Sequence, residues 1–95
     1  MEILKRLIFK KRIGIRYEMS IGFILIKAAP ALEHEVYNKL SKIKEIIELQ
    51  PLFGEYDLIA TIEAENFEIL GEIVISNIRS VKGVLDTKTL TGTRF

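Results

Sequence analysis

The most constraining stretch of the chain is Ser-Ile-Gly-Phe-Ile-Leu-Ile-Lys-Ala, residues 20–28. In an extended backbone Ile21, Phe23 and Leu25 point one way, and Ile24 and Ile26 the other. The run is far shorter than the roughly 18–20 apolar residues that a membrane-spanning helix needs. It therefore reads as a strand that must be covered on both faces. Helices of the same domain can supply one cover. The simplest source of the other is the sheet of a second copy.

The remaining segments supply that strand's neighbours. Pro30 is expected to open a helix, since its fixed φ suits a first helical turn. Leu32, Val36, Leu40 and Ile43 keep helical spacing, while Glu33, His34, Glu35, Lys39 and Lys42 take the polar side. Ile46 to Gln50 reads as a second strand. Tyr56 to Glu63, rich in β-branched and aromatic residues, reads as a longer third one. Asn66 is a good cap for a second helix with an apolar stripe of Phe67, Leu70, Val74 and Ile78, reinforced by Ile73. Gly71 inside this helix costs about 1 kcal/mol relative to alanine, which reads either as the close approach of another backbone or as a tolerated weak spot. Gly83 breaks the chain again, and Val84 to Thr91 is the last strand. Alternation puts Leu85, Thr87, Thr89 and Thr91 on one of its faces and Val84, Asp86, Lys88 and Leu90 on the other. This order predicts an α+β fold, a ferredoxin-like βαββαβ sandwich with two helices on one face of an antiparallel sheet. The bare sheet face is the expected dimer surface, closing two copies into a barrel-like pair.

Ninety-five residues suit one domain. A chain of this size buries roughly 60–65% of its unfolded surface, enough for one core. The lack of cysteine excludes a disulfide frame, a cysteine-ligated zinc site and an iron–sulfur cluster, and it suits a cytoplasmic location. The N-terminus is basic but is not followed by a clean apolar core and cleavage site, so no signal peptide is expected. Charge is unevenly spread. Residues 1–18 hold six bases and two acids, a net +4, and the rest holds eight bases and eleven acids, a net −3. This divides the chain into a basic arm, 1–18, and a body, 19–95. The arm reads as a weak contact to nucleic-acid phosphates, as an extension packed on a neighbouring subunit, or as sequence ahead of a second start at Met19. It is too short for a helix-turn-helix.

No catalytic constellation emerges. The single histidine, His34, has no placed carboxylate or nucleophile beside it, and no glycine-rich phosphate loop occurs. Glu55 and Asp57 stand two apart and would share a strand face, but a solvent-rimmed turn is a poor place to drive two carboxylate pKa values apart. No catalytic residue, cofactor or metal is expected. The turn from Pro51 to Asp57 is the remaining candidate for small-molecule contact. Gly54 supplies freedom where the chain reverses, and Glu55, Tyr56 and Asp57 crowd beside it. Asp57 reads equally as a turn-stabilising aspartate bonding nearby backbone. The threonine row reads as an ordinary half-exposed strand or as hydroxyls able to hold a polar ligand.

Three segments together carry a resemblance: Phe23-Ile24-Leu25-Ile26, the turn Gly54-Glu55-Tyr56-Asp57-Leu58, and Gly83-Val84-Leu85-Asp86-Thr87-Lys88-Thr89-Leu90, with 26 residues from Asp57 to Gly83. From Ser20 to Phe95 the chain resembles the effector-binding domain of the Lrp/AsnC family of prokaryotic transcription regulators. The resemblance implies a non-enzymatic amino-acid sensor that forms homodimers and rings of dimers, an octamer or decamer. Its amino-acid effector would sit between dimers near the hairpin. Asp57 would then accept from the ammonium group. Backbone N–H groups of Gly54, Glu55 and Tyr56, with the Thr87 and Thr89 hydroxyls, would donate to the carboxylate, and Tyr56 would wall the pocket. The family's DNA-reading domain has no counterpart in residues 1–18, so the resemblance is to the stand-alone form, with full-length regulators of the family as possible partners. Two alternatives remain. One is a ligand-free module that co-assembles with such regulators. The other is a small α+β-barrel enzyme subunit similar to parts of haem-pathway decarboxylases, for which Arg79 and Arg94 are the body's arginines.

Overall fold

A computed structural model describes residues 19–92. The basic arm expected at 1–18 lies outside the described residues. The elements are β1 (Ser20–Ala28), α1 (Glu33–Leu40), β2 (Ile46–Pro51), β3 (Leu58–Ala64), α2 (Phe67–Ile73), which continues as a wide π-type turn (Val74–Ile78), and β4 (Val84–Thr91). The strands form one antiparallel sheet in the order β2-β3-β1-β4. Both helices lie on one face, α1 beside β2 and α2 across β1 and β3. This is the expected ferredoxin-like α+β sandwich.

Register explains which residues meet. Ile24 stands between Ala60 and Thr89, and Ile26 between Leu58 and Thr87. Ile24, Ile26, Leu58, Ala60 and Ile62 therefore face the helices and join Val36, Leu40, Leu70, Val74 and Ile78 in the core. Burying each of the larger side chains contributes roughly 1.5–3 kcal/mol. On the opposite face Phe23 stands between Thr61 and Leu90, and Leu25 between Ile59 and Lys88. Phe23, Leu25 and Ile59 are half-buried and Leu90 is exposed, so an apolar stripe crosses this face.

Several expectations need correction. Pro30 does not open α1. It lies in a turn closed by the Leu32 N–H donating to Ala29 O at 3.0 Å, and Ala31 has φ 70°. Proline at the second position with positive φ at the third has the character of a type II turn, which stops a helix from starting there. The helix begins at Glu33 and carries no side-chain cap at Leu32. Ile43 lies beyond the end of α1, half-buried in the turn before β2. β3 begins at Leu58 rather than Tyr56, because Tyr56 and Asp57 belong to the turn. Glu55 and Asp57 therefore do not share a strand face. Phe67 stands 53% exposed rather than completing the buried stripe. A methyl group at Gly71 would meet nothing within 4 Å, so no other described backbone closes on it. Leu85 leaves the face of Thr87 and Thr89. Lys27 pairs with Asp86 and Ala28 with Val84, which makes Leu85 the extra residue of a β-bulge.

Other expectations stand. Asn66 caps α2, its Oδ1 accepting from the Ile69 N–H at 2.8 Å. His34 is exposed. Gly83 has φ 100°, and a Cβ there would sit 2.8 Å from Val36 Cγ2, so both backbone conformation and space require glycine before β4.

Candidate functional site

Antiparallel order brings three connections to one end of the sheet: residues 29–32 after β1, the hairpin turn 52–57, and residues 79–83 before β4. The last N–H groups of β1 are taken from its two sides. Ala28 N–H donates to Asp57 Oδ2 at 2.7 Å, and Ala29 N–H donates to Gly83 O at 2.7 Å. Asp57 N–H in turn donates to Ile26 O at 2.9 Å, and Leu52 N–H donates to Asp57 O at 2.8 Å. Asp57 is thus fastened through backbone and side chain to the end of β1. Tyr56 has already left the ladder, so the Asp57 carboxylate does the accepting that a strand carbonyl would otherwise do. Such a charge-assisted bond is stronger than a neutral one.

This makes the hairpin rigid at its base and exposed at its tip. Gly54 has φ 122°, a Cβ placed on it would find nothing within 4 Å, and Glu55 is exposed. Tyr56 and Asp57 are half-buried. Beside Gly54 stands Phe53, fully exposed. Sequence pattern did not single out Phe53, although an aromatic next to the turn glycine was visible there. Four of the six proposed site residues, Gly54, Glu55, Tyr56 and Asp57, are therefore contiguous on one loop.

The other two stand apart. Thr87 is half-buried and pairs with Ile26, and Thr89 is exposed and pairs with Ile24. Both share the helix-facing side of β4, an edge strand. β1 lies between them and the hairpin, two strand spacings or about 10 Å from backbone to backbone. Asp57 Oδ2 faces the Ala28 N–H. Within one chain the turn and the threonines form two polar patches divided by β1, with Thr87 nearer the turn's end of the sheet and Thr89 level with the middle of β1. Among the described residues no group of three or more histidines, cysteines, aspartates or glutamates is placed to hold a metal ion, and no helix is long and apolar enough to cross a membrane.

Comparison with known proteins accords with this architecture. The family model of the Lrp/AsnC ligand binding domain matches residues 21–93. An uncharacterized HTH-type transcriptional regulator of Pyrococcus furiosus is 35% identical over 74 residues, 75% of this chain and 49% of that protein. The chain spans about half the length of the curated relatives it matches. Among solved structures, TTHA0845 from Thermus thermophilus superposes with a TM-score of 0.74 at 26% identity, covering 80% of this chain and 95% of that one. A Neisseria meningitidis transcriptional regulator in complex with L-Met shares the fold, with a TM-score of 0.72 at 18% identity, over 98% of this chain and 70% of that one. The relatives are transcription regulators, not enzymes. The chain belongs to the Lrp/AsnC ligand-binding domain family.

Proposed function

We propose that the chain is a regulatory module that binds a free amino acid where two copies meet, with the hairpin turn of one copy supplying the ammonium side of the site. The observation that carries this reading is the Asp57 anchor. It holds the turn in place by one side-chain and two backbone hydrogen bonds, and so fixes Gly54, Glu55 and Tyr56 at the exposed end of the sheet. A preorganised loop loses less entropy when a small zwitterion binds. Asp57 Oδ1 and Glu55 provide acceptors for an ammonium, and the N–H groups of Gly54 to Tyr56 provide donors for a carboxylate. The separation of Thr87 and Thr89 from the turn by β1 fits a role in completing a neighbouring copy's site. The family supports an effector role, and a neighbour of the same fold holds L-methionine.

Copies would pair through the sheet face opposite the helices. Ile21, Phe23 and Leu25 of β1, with Ile59 and Leu90, form a mainly apolar centre in which buried Thr61 stands beside Phe23 and buried Glu63 beside Ile21, and Lys27, Glu48, Gln50, Asp86 and Lys88 form a charged and polar rim. An apolar core with a polar rim is the usual anatomy of a protein interface. In this reading two sheets close on each other, the dimers assemble further, and ligand state passes to full-length regulators of the same family in the cytoplasm.

Calorimetry against the twenty amino acids tests the proposal. At least one should bind, Asp57→Asn should weaken it at least tenfold without loss of fold, and Thr89→Val should weaken it without changing stability. Absence of binding by all twenty to a correctly assembled protein would refute the sensor and leave the ligand-free interaction module. Leu25→Asp should turn the dimer into monomers in analytical ultracentrifugation. An unchanged mass would refute the sheet-to-sheet pairing.

A further inference from the structure

Two residues on the sheet face opposite the helices are buried although no described element lies over them. Thr61 is 5% exposed and Glu63 8% exposed in a single copy. Both alternate with the core residues Ala60 and Ile62, so both point away from α1 and α2. The burial is one-sided. Across β1 on the same face, Leu90 is 44% exposed. Towards the hairpin, Gln50 and Lys88 on that face are exposed as well. The cover therefore lies over the end of β3 that adjoins the start of β1, where Glu63 pairs with Ile21 and where Met19 and Ser20 are half-buried.

The covered patch is acidic. β2 and β3 contain Glu48 and Glu63 and no base. Glu45 precedes β2 and Glu65 follows β3, against one nearby base, exposed Lys44. On the same face Lys88 pairs with Leu25, which puts it about 13 Å further along the sheet than Glu63 and two strand spacings across. A carboxylate taken out of water calls for positive charge beside it. Residues 1–18 carry a net +4 and run directly into Met19. Their bases are interspersed with Leu7, Ile8, Phe9, Ile13 and Ile15, so one segment offers both charge and apolar cover. Reach is not limiting. The five residues from Arg16 to Ile21 span up to about 17 Å, while β1 and β3 lie about 4.8 Å apart. We infer that the basic segment 1–18 docks on the outer face of its own sheet, over the β2–β3 half, with its bases against Glu63 and Glu48 and its aliphatic residues over Thr61, Ile21 and Phe23. The cover belongs to the same chain because the burial is present in one copy alone. It leaves Leu25, Ile59 and Leu90 open to a second copy's sheet. It also gives the basic segment an intramolecular acidic partner in place of nucleic-acid phosphates.

A thiol probe tests this docking on the full chain, which has no cysteine of its own. In Thr61→Cys the thiol should react slowly with a maleimide. Reversing the segment's central charges with Lys10→Glu, Lys11→Glu and Arg12→Glu together should speed the reaction about fivefold or more, since the thiol reacts when the cover opens. Adding Glu48→Lys, at an exposed position, should slow it again. An unchanged rate on charge reversal, or no slowing with Glu48→Lys, would overturn the docking. Carbodiimide crosslinking of a mixture of isotopically light and heavy chains identifies the copy involved. Glu48 or Glu63 should be joined to Lys5, Lys10 or Lys11 of the same isotope. Crosslinked peptides of mixed isotope would seat the segment on a neighbouring copy, and the absence of any such peptide would assign the cover to residues 93–95. Either result would overturn the inference.

Discussion

Removing the carboxylate of Asp57 should destabilise the fold even when no effector is present. In Asp57→Ala the Ala28 N–H loses the acceptor that stands 2.7 Å away, and Ala28 is only 6% exposed, so water is a poor substitute. A hydrogen bond to a charged group contributes about 1.5–3 kcal/mol, and a stranded buried donor costs about 1–3 kcal/mol. Asp57 is half-buried, so the lower part of the range applies and the expected loss is about 2 kcal/mol. For a domain of this size each kcal/mol moves Tm by about 4–8 °C, so the midpoint should fall by about 8–16 °C. Asp57→Asn keeps an acceptor at the same place and replaces a charge-assisted bond by a neutral one worth about 1 kcal/mol, so it should recover about half of the loss. Thermal and urea unfolding at one fixed protomer concentration provide the assay, because any assembly would make Tm depend on concentration. A loss below about 0.5 kcal/mol in the alanine variant, a threshold set at the ordinary scatter of surface substitutions, would refute the structural role and return Asp57 to ligand binding alone.

Three further substitutions check the fold around that end of the sheet. Gly83→Ala should cost about 2 kcal/mol or more in chemical unfolding, since φ 100° strains any L side chain and the new methyl would stand 2.8 Å from Val36 Cγ2. Gly22→Ala should be destabilising alone, because its Cβ would lie 2.9 Å from both Leu70 Cδ atoms. In a Leu70→Ala background the penalty should shrink or reverse, and a double-mutant cycle measures this coupling. Asn66→Ala removes the acceptor for the Ile69 N–H and should cost about 1 kcal/mol, with helix loss seen by circular dichroism.

The fold was largely legible because periodicity and caps carry it. The alternation of Ile24 and Ile26 against Phe23 and Leu25 named a two-faced central strand, and register then placed those pairs on opposite faces. What the sequence did not reveal depends on contacts distant along the chain. The partner of Asp57 is the Ala28 N–H, 29 residues away, so the aspartate read as a local turn former or a ligand contact, and its tie between the hairpin and β1 was not legible. Positive φ at Ala31 carries no residue signature, because alanine rarely adopts it, and Pro30 therefore suggested a helix start where a turn stands. The bulge at Leu85 shifted a clean alternation by one residue. Four proposed site residues fell together because they are neighbours in sequence. Thr87 and Thr89 fell on the far side of β1 because strand order was not fixed by spacing alone.

The placement of exposed apolar side chains bears on how copies assemble. Leu90 belongs to the sheet face opposite the helices, Leu52 and Phe53 to the hairpin tip, and Phe67 and Ile75 to the outer side of α2 and the turn that continues it. One two-fold contact through the sheet can cover only the first. A dimer so formed carries two hairpin tips and two α2 flanks outward. A second two-fold surface would alternate with the first from dimer to dimer, and the angle between the axes would decide whether the assembly closes into a ring or runs on as a filament. The hairpin tips then meet neighbours only in a closed arrangement, where Phe53 gains cover and the anchored turn gains a second wall. Under that geometry effector binding depends on assembly. Dilution below the dissociation constant of such an assembly should reduce amino-acid affinity although it leaves the turn itself unaltered. Calorimetric affinity that stays constant through the dilution would show that assembly beyond the sheet-paired dimer adds nothing to the site.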